Sequence, residues 1–90
     1  RLEIMRIATD HPQVMGAHDL RTRVSGRTVH IQLHLELDDQ MRLLESHSIA
    51  DNREAALRKA IPGADIVIHQ DPAGIVERRI DHAIETVNEN

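Results

Sequence analysis

Val29-His30-Ile31-Gln32-Leu33-His34-Leu35-Glu36-Leu37 alternates apolar and polar residues without a break. An extended backbone turns successive side chains to opposite faces, so this stretch reads as a strand. One side is wholly aliphatic; the other is polar and carries His30 and His34. The aliphatic side must be covered by a second layer, whereas the polar side can face water or a partner.

Upstream, Ser25-Gly26 is a two-residue turn signal, and residues 14–24 contain a strand with Leu20 and Val24 on one face and Asp19, Arg21 and Arg23 on the other. The two strands therefore form a hairpin. Arg1 to Asp10 reads as a helix, with Leu2, Met5 and Ala8 at three-residue spacing, stopped by Pro12. Downstream, the period becomes helical from Asp39 to Ala60. Leu43, Ala50, Leu57 and Ile61 form an apolar stripe, and Asp38 and Asp39 are candidate caps. Pro62-Gly63 stops that helix. Ile66-Val67-Ile68-His69-Gln70-Asp71-Pro72 reads as a buried strand closed by its proline. Val76, Ile80, Ala83, Ile84 and Val87 predict a short amphipathic tail helix.

The order is helix, strand, strand, helix, strand. The second helix is long enough to cross over between two parallel strands, and such crossovers are right-handed. This predicts an α+β fold: an open, ferredoxin-like α-β-β-α-β sandwich with a three-stranded mixed sheet and both helices on one face. The polar sheet face then lacks a helix of its own, and a second copy of the chain is its natural cover. Ninety residues make a single domain. Its expected core is 1–72 and its tail 73–90. The chain opens on Arg1 inside a helical pattern, which predicts a domain excised from a longer protein.

Composition excludes several functions. There is no Phe, Tyr or Trp to stack on bases, and the net charge is -4, so nucleic acid is not an expected partner. Cysteine is absent, which removes disulfides, thiolate catalysis and cysteine zinc sites. No run approaches the roughly 18 apolar residues of a membrane span. The one excess is histidine, seven in all.

His69 and Asp71, two apart on a strand, point to the same side, and imidazole and carboxylate are common zinc ligands. If the strands of His34 and His69 run parallel, their C-terminal ends share one sheet edge, and the helix carrying His47 starts from it. Topology thus directs His34, His47, His69 and Asp71 to one place. A strict hairpin pairs His18 with Leu33 and turns it to the core face; a bulge would return it to His34. His47 also suits a helix-border pair with Asp51 four residues on. His30 reads as a solvated strand residue, and His11 and His82 as surface residues.

His18-Asp19-Leu20-Arg21-Thr22-Arg23 with Ser25-Gly26, Ile31-Gln32-Leu33-His34-Leu35, His47 to Asp51, and Ile68-His69-Gln70-Asp71-Pro72 together resemble the cytoplasmic C-terminal domain of cation diffusion facilitator transporters, in their bacterial zinc and iron efflux branch. The resemblance runs from about Gly16 to Pro72. It implies a metallochaperone-like, homodimeric regulatory domain, attached to a transmembrane domain in a bacterial inner-membrane protein. It also implies Zn2+ as the ligand, with Fe2+, Mn2+ and Cd2+ as alternatives, at a dimer-interface site of His18, His34, His47, His69 and Asp71, with Gln70 contributed by the partner. Cation binding there would draw the two copies together and favour transport. Because an imidazole must be deprotonated to bind, affinity would fall below about pH 6.5. The competing readings are a zinc hydrolase, for which no motif places a base, and a metal-independent dimerisation or small-molecule module of the same fold. The expectation is a regulatory domain and not an enzyme.

Overall fold

The strand at Thr28–Leu37 lies at the centre of the sheet because its aliphatic side is the surface on which everything else packs. In the computed structural model, which describes residues 1–74, five elements follow in order: α1 (Leu2–Ala8), β1 (Gly16–Ser25), β2 (Thr28–Leu37), α2 (Leu43–Ala60) and β3 (Asp65–Pro72). The sheet order is β1-β2-β3, with β2 antiparallel to β1 and parallel to β3. This is the expected α-β-β-α-β sandwich, with α2 as the crossover. The predicted tail helix over 76–87 lies outside the described residues.

Ile31, Leu33, Leu35 and Leu37 are buried, as are Ile4 and Ala8 of α1, Leu57 of α2, and Ala64 and Ile66 at the start of β3. Full burial of such a side chain stabilises by about 1.5–3 kcal/mol each, so an aliphatic core suffices without aromatics. Arg53 of α2 ties the two helices together: its Nη1 donates at 2.9 Å to the Ile7 carbonyl in the last turn of α1, which also accepts the Asp10 N–H at 3.1 Å. No side chain among the described residues is both buried and polar.

Three local expectations are corrected. The hairpin turn is Gly26-Arg27, closed by the pair Ser25 and Thr28, because Gly26 takes the left-handed φ of 62° that such a turn requires. Asp38 and Asp39 do not cap α2. The Asp38 carboxylate accepts from the Gln40 N–H at 2.8 Å, and its carbonyl from the Met41 N–H at 3.1 Å, so the chain is spent on a turn there. The helix starts only at Leu43, with Arg42 as its N-cap and no side-chain cap bond. Leu43 is consequently in a first turn that stands clear of the sheet and is 80% exposed, as is Leu44. The buried stripe of α2 is Ile49, Ala50 and Leu57.

Candidate metal centre

The polar face of β2 displays His30, Gln32, His34 and Glu36 in a row. Parallel register sets His34 beside His69 and Glu36 beside Asp71. On the other flank, extending the two-residue turn without interruption would set His18 against Leu35, on the aliphatic face. A β-bulge prevents this. Asp19 and Leu20 together oppose Leu33, the register shifts between His18 and Arg21, and His18 comes to lie opposite His34. The bulge is built on Asp19, whose φ of 54° is left-handed. Aspartate is among the few non-glycine residues that enter this region readily. The Arg1 guanidinium donates to the Leu20 carbonyl at 2.8 Å, giving the irregular backbone an acceptor partner.

The result is three imidazoles side by side across three strands. The His18 and His34 rings stack with centroids 5.0 Å apart, and those of His34 and His69 at 4.7 Å. Asp71 lies among them with only 13% of its side chain exposed. Its Oδ2 is 2.9 Å from His34 Nδ1 and 3.3 Å from His18 Nε2. One ligand atom from each of His18, His34 and Asp71 falls within a span of 4.8 Å. On its far side, His18 Nδ1 is 3.2 Å from Glu36 Oε2. Asp19 Oδ2 stands 3.7 Å from His34 Nε2 and Oδ1 accepts from Arg21 Nε at 3.2 Å.

Of the six residues singled out in the sequence, His18, His34 and Asp71 converge, and His69 flanks them as an exposed ring stacked on His34. His47 is at the same end of the sheet, since its neighbour Ser46 has Oγ 3.0 Å from Gln70 Oε1. Its ring, however, is exposed and pairs with Asp51 on its own helix, Nε2 to Oδ2 3.4 Å. Gln70 is on the helix side of β3, opposite to His69 and Asp71, and does not meet the cluster within one chain. Glu36 and Asp19 were missed. Glu36 was legible in principle: it shares the polar face with His34, two residues on. Asp19 became a neighbour only through the bulge.

A second pair occupies the other end of this face. His30 Nδ1 is 2.9 Å from Asp65 Oδ2, but its neighbour on β1 is Arg23.

An α-β-β-α-β sheet with this architecture defines a metallochaperone-like domain, and solved structures of the MamM CTD share it. The match to residues 215–293 of MamM has a TM-score of 0.73 at 21% identity, covering 79% of this chain and 91% of that one. The family model for the cytoplasmic domain of cation efflux proteins matches residues 1–73, and the chain belongs to that family. The cation-efflux pump FieF of Yersinia enterocolitica is 56% identical over 78 residues, and that of Escherichia coli 51%. Each alignment covers 87% of this chain, which spans only 26% of either pump. The family is one of efflux-protein domains and not an enzyme class.

Proposed function

We propose that this chain is the metal-sensing, dimerising regulatory domain of a divalent-cation efflux transporter, binding Zn2+ through His18, His34 and Asp71. The observation that carries the reading is the pair of distances at Asp71 Oδ2, 2.9 and 3.3 Å to two imidazole nitrogens. Ligand atoms in a tetrahedral zinc shell stand about 3.3 Å apart, given zinc–ligand bonds near 2.0–2.1 Å. Two imidazoles and a carboxylate are also a donor set zinc accepts, and one that admits Fe2+, Mn2+ or Cd2+ with graded affinity. Variants of the MamM CTD have been solved in nickel and cadmium forms, which supports divalent cations as ligands of this fold.

Three ligands leave a four-coordinate shell incomplete. His69, at the edge of the cluster, and His47, near the same end of the sheet, are proposed to complete it from the same protomer or across a homodimer formed by the polar sheet faces, with Gln70 contributed by the partner copy. His47 is tied only to an exposed partner one helical turn away, a weak restraint to break. Without a cation, each imidazole of the pair satisfies itself inside the protomer, His18 at Glu36 and His34 at Asp71. A bound cation would replace the proton between His34 and Asp71 and link elements of both copies. The closed dimer would gain stability as RT ln(1 + [L]/Kd). Residues 1–90 would form this single unit, with export itself belonging to the membrane segment of the full-length pump.

The test is a calorimetric zinc titration at pH 7.5 with magnesium as control. At least one tight zinc per chain, with no magnesium binding, is the expected result. No saturable binding up to millimolar zinc would leave a metal-independent dimerisation module. A His34→Ala/Asp71→Ala double variant should still sediment as a dimer while losing its compaction by zinc.

A further inference from the structure

We propose that Glu36 is a positioning residue of the cation site, holding the His18 imidazole in the tautomer whose Nε2 is free to bind. The inference rests on the metal-sensing reading above and assigns a role to a side chain outside its ligand set. An ionised carboxylate can only accept hydrogen bonds. Two carboxylates flank the His18 ring, but only Glu36 Oε2, 3.2 Å from Nδ1, has hydrogen-bond geometry, whereas Asp71 Oδ2 makes only an ion-pair contact with Nε2. The neutral ring is therefore assigned its proton on Nδ1. The lone pair is then on Nε2, the nitrogen that faces Asp71 Oδ2 at 3.3 Å. A carboxylate behind a ligating histidine fixes the ring and raises its basicity.

Two further observations support this assignment. Glu36 and Asp71 address opposite nitrogens of the same ring, so Glu36 cannot bind the ion that His18 Nε2 and Asp71 would share. Across the ladder from Glu36 is Gly16, where an added Cβ would lie 3.0 Å from Glu36 Oε2. Gly16 is not among the glycines with positive φ, so its backbone does not demand glycine. What the missing side chain provides is the space through which Glu36 reaches His18. Asp19 does not play the matching part for His34: 3.7 Å is too long for a hydrogen bond.

The experiment combines zinc calorimetry with 15N NMR of the histidine rings in the metal-free protein, on the wild type, Glu36→Ala, Glu36→Gln and Gly16→Ala. Thermal melts followed by circular dichroism confirm that each variant is folded. In the wild type, His18 should show the Nδ1–H tautomer. Glu36→Ala should lose it and weaken zinc binding about 10–100-fold at unchanged stoichiometry. Glu36→Gln, which still presents an acceptor, should restore most of both, and Gly16→Ala should shift both in the same direction by less. Weakened binding with an unchanged tautomer, or no effect on either, would overturn the role. So would loss of a zinc equivalent, which would make Glu36 a ligand. A wild type that binds no zinc would overturn the metal reading itself, and this inference with it.

Discussion

The polar sheet face carries two histidine–carboxylate pairs of identical spacing, and only one is part of a cluster. His34–Asp71 and His30–Asp65 both join neighbouring parallel strands at 2.9 Å. The difference is on the third strand and in solvent. Beside His34, the bulge delivers His18; beside His30, regular pairing delivers Arg23, a cation that would repel another. The Asp71 side chain is 13% exposed and that of Asp65 61%, so a charge at Asp71 is felt far more strongly by its neighbours. What sets the candidate cluster apart from the bare pair is an imidazole on the third strand and a sheltered carboxylate.

This contrast can be broken most directly at the carboxylates. Asp71→Ala should weaken zinc binding by more than roughly 100-fold, beyond the range typical of an outer-shell change, while Asp65→Ala should leave it within about twofold. Isothermal titration of both variants checks this. Acid should act next most strongly. Protons compete with the cation for imidazole nitrogens, so affinity should fall between pH 7.5 and pH 5.5. Titrations at both pH values decide it, and an unchanged affinity would rule out histidine ligands. Arg23→His tests whether the poorer pair lacks only its third ligand. It should add a second zinc event, weaker than the first because Asp65 is open to water.

The smallest effect concerns the bulge. Asp19→Val places a β-branched residue at a left-handed φ and should destabilise the domain by about 1–2 kcal/mol, whereas Asp19→Gly should be neutral or mildly stabilising. Chemical denaturation of the two variants separates them. If both behave alike, backbone conformation is not what Asp19 contributes.

Much of the fold is written in simple periodicities. The alternation of Val29 to Leu37 and the apolar run at Ile66 are local signals, and parallel pairing follows from the helix between them. His34, His69 and Asp71 were legible for that reason. His18 entered only through the family resemblance and on the condition of a bulge, because a bulge is one residue out of phase and no alternation announces it. The start of α2 was misplaced because Asp38 serves a turn as readily as a cap. Leu43 was assigned to the core by its spacing from Ala50, yet spacing alone does not say whether a helix's first turn overlies the sheet. Glu36 read only as the polar half of an alternation, since its partner Gly16 contributes an absence of atoms.

The parallel register of β2 and β3 also sets the order in which the site can be assembled. His18 and His34 belong to one hairpin, but Asp71 is 37 positions beyond His34 and arrives only after α2 has crossed over. Closing so long a loop is the slow step for a non-local pairing. A cation would therefore find two imidazoles but not the Asp71 carboxylate on a nascent hairpin, and the full cluster only on the finished sheet. It would act as a latch, lengthening the lifetime of the native state and leaving the rate of reaching it almost unchanged.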